Sequence, residues 1–119
     1  MKKLTLQVSF FKSISDKTRL RIMKMLQVKP LCVCEITDVL RLSSSTVSEH
    51  LSILKASGLV VSEKKGKIVF HKLNIYSDSA SVAGILSMLA CLLDDDETII
   101  SDSNKAKKAD CREILARKP

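Results

Sequence analysis

Leu6, Phe10, Phe11 and Ile14 recur at three- and four-residue steps and predict an opening helix with one apolar stripe. Asp16 stands where a side-chain oxygen caps a helix, and Leu20, Ile22, Met23, Met25 and Leu26 then describe a largely buried helix from Thr18, ending near Lys29-Pro30. Cys32 to Leu40 reads as a short helix with Ile36, Val39 and Leu40 inward, followed by a tight turn at Arg41-Leu42-Ser43. Ser43 or Ser44 can cap the next segment, Ser45 to Ser57, which stops at Gly58. There Val47, Leu51 and Leu54 share one face, while Ser45, Ser48, Glu49 and Ser52 share the opposite one. Short hydroxyl side chains are poor helix formers. A face of them is either an ordinary solvated surface or one shaped for close approach to phosphates and base edges.

Leu59 to Ser62 and Ile68 to Leu73 read as β-strands, joined by Glu63-Lys64-Lys65-Gly66-Lys67, a glycine-containing turn with three lysines. Short helix, tight turn, hydroxyl-faced helix, glycine stop and lysine-tipped hairpin follow in the order of a winged helix-turn-helix, one helix for the major groove and a β-wing for the flanking backbone. The expected fold class is therefore mainly α with a small β-hairpin. Asn74 to Ala80 is polar and opens a further helix, in which Val82, Ile85, Leu86, Leu89 and Leu93 form a stripe. With the N-terminal stripe it is a candidate for subunit pairing, and a two-fold dimer suits a reader of palindromic DNA. The run Asp94-Asp95-Asp96-Glu97 opposes a helix C-terminus, so that helix is expected to end at about Leu93. Residues 1–93 are thus read as a DNA-binding and dimerisation domain, and residues 94–119 as a charged extension, either a tail or a short helix carrying Cys111, Ile114 and Leu115.

Composition narrows the function. The 119 residues suit one domain, 45% apolar but only 3% aromatic, so the core is aliphatic. The net charge of +7 is uneven: residues 1–75 carry fourteen Lys/Arg against five Asp/Glu, while residues 76–119 carry six against eight. A basic N-terminal two-thirds points to a polyanion, nucleic acid being the commonest. Val82 to Leu93, the longest apolar-rich run, falls short of the roughly 20 residues that span a bilayer. The basic N-terminus breaks into polar residues before a signal-peptide core forms, which predicts a cytoplasmic protein without membrane attachment. No nucleophile, histidine and carboxylate cluster suggests an enzyme or an organic cofactor.

In a reducing compartment, Cys32, Cys34, Cys91 and Cys111 are read as ligands, sensors or core thiols rather than disulfides. Side chains two apart point roughly 200° from each other in a helix. Cys32 and Cys34 therefore converge only where the backbone is still extended, at the helix start after Pro30 and Leu31. There the unpaired N–H groups are expected to favour thiolates, which are soft ligands for thiophilic ions.

Ser15-Asp16-Lys17-Thr18-Arg19-Leu20-Arg21-Ile22, Leu31-Cys32-Val33-Cys34-Glu35-Ile36 and Ser48-Glu49-His50-Leu51-Ser52-Ile53-Leu54-Lys55-Ala56-Ser57-Gly58-Leu59-Val60 resemble the arsenic-responsive repressor family, ArsR/SmtB. The resemblance implies a small homodimeric winged-helix protein that leaves operator DNA when a metal or metalloid binds. It implies that Ser44, Ser45, Thr46, Ser48 and His50 lie on the DNA-reading helix and Lys64, Lys65 and Lys67 on the wing. Glu49 occupies a spot where family members often carry a base, and His50 is either a DNA contact or a partly buried structural residue. Members with this cysteine motif bind trivalent arsenic or antimony as inducer through three thiolates, the third often three residues after the second; here that residue is Thr37. Cys32 and Cys34 are thus expected metal ligands, with the third sulfur from Cys91, Cys111 or a partner subunit. The alternative is a thiol-redox or persulfide sensor that pairs Cys32 or Cys34 with Cys91.

Overall fold

The structure, a computed structural model, describes residues 1–117; Lys118 and Pro119, at the end of the predicted extension, lie outside the described residues. The elements are α1 (Lys2–Ile14), α2 (Lys17–Leu26), α3 (Val33–Leu40), α4 (Ser44–Ala56), β1 (Val60–Lys65), β2 (Ile68–Leu73), α5 (Ala80–Leu89), α6 (Glu97–Lys108) and α7 (Cys111–Arg117). This is the winged helix-turn-helix that the residue pattern predicts.

Local chemistry sets the boundaries. The Asp16 carboxylate accepts from the Arg19 N–H at 3.0 Å and starts α2. The Ser43 hydroxyl accepts from the Thr46 N–H at 3.2 Å and starts α4. Between α3 and α4, Arg41 turns the chain at φ 59°, and Gly58 at φ 82° releases it from α4 into β1. Ile22, Met23 and Met25 of α2, Ile36 of α3 and Val47, Leu51 and Leu54 of α4 close the aliphatic core with Leu31, Leu59 and Val60. α4 is thereby seated on the core by its apolar face, and its hydroxyl face is left outward.

The hairpin is longer and its turn tighter than the sequence suggests. β1 runs to Lys65, and the antiparallel register passes from Val60↔Leu73 to Lys65↔Ile68, leaving only Gly66-Lys67 as the loop. Gly66 takes φ 64° at its first position, where a side chain would be strained. Glu63, Lys64 and Lys65 resemble a turn in composition because their strand is exposed on both faces and carries no apolar alternation.

The largest departure lies beyond residue 89. The helix expected to reach Leu93 ends at Leu89, and Leu93 adopts φ 64° outside it. The buried Lys24 ammonium donates to the Leu89 carbonyl and to Asp94 Oδ1, both at 3.0 Å, which answers the acidic run and the helix end together. Asp96 then caps α6, accepting from the Ile99 N–H at 3.0 Å. The acidic run is thus a helix N-terminus. Residues 97–117 form two helices, where a tail or one short helix was expected, with Ile99, Asp102, Ala106, Cys111 and Ile114 buried. Nor is the α5 stripe a free face: Val82 and Leu89 are core, Ile85 and Leu86 half-buried. On α1 only Phe10 and Ser13 are buried, while Leu6 and Phe11 stay exposed. Among the described residues no helix is long and apolar enough to cross a membrane.

Arg21 clamps α6 to α2 through a two-pronged contact, Nε to Asp102 Oδ2 at 2.8 Å and Nη2 to Oδ1 at 2.9 Å, with Asp102 buried. The Asp102 carboxylate raises the Arg21 guanidinium pKa. Asp102→Ala removes both hydrogen bonds of this pair, and because the Arg21 side chain is 31% exposed to water the expected cost is about 1 kcal/mol. Urea unfolding of both proteins measures it.

Candidate functional site

Two surfaces carry chemistry, and the chain joins them. On α4, Ser44, Ser45, Ser48, Glu49 and Ser52 are exposed and Thr46 half-exposed, so the face read as DNA-reading is open. Part of it is bonded internally: the Ser43 hydroxyl lies 3.1 Å from that of Ser45 and 2.9 Å from that of Thr46. His50 turns inward instead. Arg19 Nη1 meets its Nδ1 at 3.0 Å, and because a guanidinium only donates, Nδ1 accepts; Asp16 lies 3.9 Å away. The backbone N–H of Arg19, then the Arg19 charge, lower the Asp16 pKa against the opposing effect of burial. Lys64, Lys65 and Lys67 are exposed around the hairpin tip, while Lys72 is paired across the strands with Glu63 at 3.2 Å.

The second surface is built where Pro30-Leu31 enters α3. Leu31 exchanges both backbone hydrogen bonds with His71 of β2, its N–H to the His71 carbonyl at 3.0 Å and the His71 N–H to its own carbonyl at 2.8 Å. Cys32 follows as the N-cap of α3 in extended conformation, φ −88° and ψ 167°. That backbone lets side chains two residues apart converge, and the Cys32 and Cys34 sulfurs stand 2.9 Å apart. Glu35, at the third helical position, accepts from the Cys32 N–H at 2.9 Å, closing a capping box.

Cys111, the first residue of α7, is buried against this group. Its sulfur, the Cys32 sulfur and a Glu35 carboxylate oxygen lie within 4.8 Å of one another. Cys32, Cys34, Cys111, Ile68, His71 and Leu115 face one cleft of about 270 Å³ between α3, the wing and α7. Cys91 is exposed beyond α5 and is not among the residues lining it. At the position where the family places its third thiol, the Thr37 hydroxyl donates to the Cys34 carbonyl at 2.9 Å and is occupied by the helix itself. The soft donors present suit a thiophilic ion or metalloid.

One expectation is reversed. The helix start does not leave Cys32 as a ready thiolate: burial pushes its pKa up, and the hydrogen bond with Cys34 adds to the shift. The Glu35 N–H opposes this without offsetting it, because Cys32 as a residue is only 4% exposed. Any ion held by this sulfur would have to displace its proton.

The residue pattern does not single out Glu35 and His71. The Cys32-Val33-Cys34-Glu35 spacing does carry a capping-box signal, the acid standing three positions after the cap, although cysteine is an unusual cap. Nothing local announces that His71 pairs with Leu31.

The family model described as "Bacterial regulatory protein, arsR family" matches residues 16–62. The "Cadmium resistance transcriptional regulatory protein CadC homolog" of Staphylococcus aureus is 38% identical over 65 residues, 54% of this chain and 54% of that protein. The "Arsenical resistance operon repressor" of Bacillus subtilis is 34% identical over 84 residues, 70% of this chain and 76% of that protein. HlyU from Vibrio cholerae superposes with a TM-score of 0.62 at 33% identity, over 76% of this chain and 95% of that one. The chain spans about half the length of the cadmium regulators it matches.

The buried His71 ring, whose Nδ1 lies 3.0 Å from the Ser62 hydroxyl, has its pKa lowered by burial and secondarily by Lys55. The unfolded chain then binds a proton that the folded chain resists. His71 stabilises the fold fully above its ordinary value of 6.5, and that contribution is lost as pH falls through the folded-state value. In metal-free protein, the urea midpoint should fall between about pH 7.5 and 5, and His71→Gln should flatten that fall.

Proposed function

Because this chain belongs to the arsR family of bacterial regulatory proteins, DNA-binding transcriptional regulators and not enzymes, we propose that it is a metalloid-responsive repressor. It binds double-stranded operator DNA as a homodimer and lets go when arsenite or antimonite is captured by cysteine sulfurs, Cys32 and Cys34 among them. The observation that carries this reading is the cysteine pair converging at the cap of α3, one residue from the Leu31–His71 connection to the wing. Drawing both sulfurs onto one ion moves that cap. The movement reaches the wing through the paired backbone bonds, and α4 through the Arg41-Leu42-Ser43 turn.

In this account Ser44, Ser45, Thr46, Ser48 and Glu49 meet the major groove, and Lys64, Lys65 and Lys67 neutralise flanking phosphates. His50 orients α4 through Arg19 in preference to touching a base. The exposed Leu4, Leu6, Val8 and Phe11 of α1, with Met88, Leu92 and Leu93 at the end of α5, supply apolar surface for the dimer.

Fluorescence anisotropy on a duplex from the protein's own promoter, with reduced protein and graded salt, tests both halves. Charge reversal of Lys64, Lys65 or Lys67 should weaken binding and reduce the salt slope by about one for each phosphate left without its lysine. Arsenite or antimonite should release the duplex from the wild type, whereas Cys32→Ser and Cys34→Ser should remain bound. A ligand-saturated protein that grips the duplex as firmly as the empty one would sink the proposal.

A further inference from the structure

We propose that Cys111, carried by the C-terminal helix of the same chain, is the third sulfur of the inducer site, so that α7 is a latch closing on the ion. This rests on the metalloid-sensing reading above and assigns the ligand which that reading leaves open. Two thiolates on one ion, with bonds of about 2.3 Å, stand about 3.3–3.8 Å apart. The sulfurs bracket that spacing: Cys32 is 2.9 Å from Cys34 and within 4.8 Å of Cys111. Cys34 and Cys111 line the same cleft, so closing the triangle within one subunit needs α7 and the cap of α3 to draw together across it.

Cys111 is held there by the architecture around it. Lys29 donates to the Ala109 carbonyl at 2.8 Å and fixes the α6–α7 junction; Ile114 is buried; Arg117 reaches Asp38 of α3 at 3.6 Å. The other donors are less suitable. The carboxylate of Glu35 is engaged by the Cys32 N–H and is a hard donor, Thr37 is bonded to its own helix, and Cys91 does not line the cleft. The exchange balances: arsenous acid trades three As–O bonds for As–S bonds to Cys32, Cys34 and Cys111. Each thiol proton leaves with a hydroxyl as water, and arsenic stays trivalent.

The test compares two probes on the reduced full-length protein, by ultraviolet sulfur-to-arsenic absorption and titration. Arsenite has three exchangeable positions, while phenylarsine oxide takes only two sulfurs. Cys111→Ser should weaken arsenite at least about tenfold, the lower end of what even outer-sphere partners of a metal contribute. It should still bind phenylarsine oxide like the wild type, which also reports that the variant is folded. Cys91→Ser should bind both unchanged, and Cys34→Ser should weaken arsenite as Cys111→Ser does.

If Cys111→Ser keeps wild-type arsenite affinity, or if Cys91→Ser is the variant that weakens, the assignment to Cys111 is overturned while the metalloid-sensing reading stands. Loss of both probes by Cys111→Ser would give Cys111 a role in holding the fold and would likewise overturn it. If the wild type binds neither probe, the metalloid-sensing reading itself fails.

Discussion

Two backbone hydrogen bonds between Leu31 and His71, at 3.0 and 2.8 Å, hold the entry to α3 against the wing. They keep the chain extended through Leu31, so that Cys32 arrives as a cap and not as a helical residue, and only in that state can Cys32 and Cys34 face each other. They also add a short third rung to a two-stranded hairpin that is marginal alone. The thiol group and the exposed lysines of the wing tip are consequently parts of one backbone network, not neighbours by coincidence of packing.

The helices matter for the same reason. α4 offers hydroxyls outward only because Val47, Leu51 and Leu54 fill the core opposite α2 and α3. The Arg19–His50 contact fixes the roll of α4 about its axis, and Arg21–Asp102 secures α6 against α2 from the other side. α2 is therefore the common support of α4 and of the C-terminal helices that carry Cys111.

Much of this is legible in the sequence. α2, α3 and α4 combine strong periodicity with recognisable caps, Asp16 and Ser43, and a glycine stop, so pattern and local chemistry agree. The extent of the hairpin is obscured because Glu63 to Lys65 pair through the backbone while both faces meet water. α6 is hidden because its opening acids follow directly on α5: the same residues that oppose one helix end favour the next beginning. The buried face of α6 also includes Asp102, which no apolar pattern reveals until Arg21 is placed beside it. The choice between Cys91 and Cys111 is open in the sequence for a comparable reason, since it depends on how distant parts of the chain meet.

The Leu31–His71 rung has a consequence for the timing of a response. Coupling free energy is reciprocal: by whatever factor ion capture loosens the grip on an operator, occupancy of the operator must loosen the grip on the ion. In the proposed repressor, a subunit seated on its operator would be the poorer scavenger, and free copies would fill first. The number of free copies would then set the dose at which the operator is released.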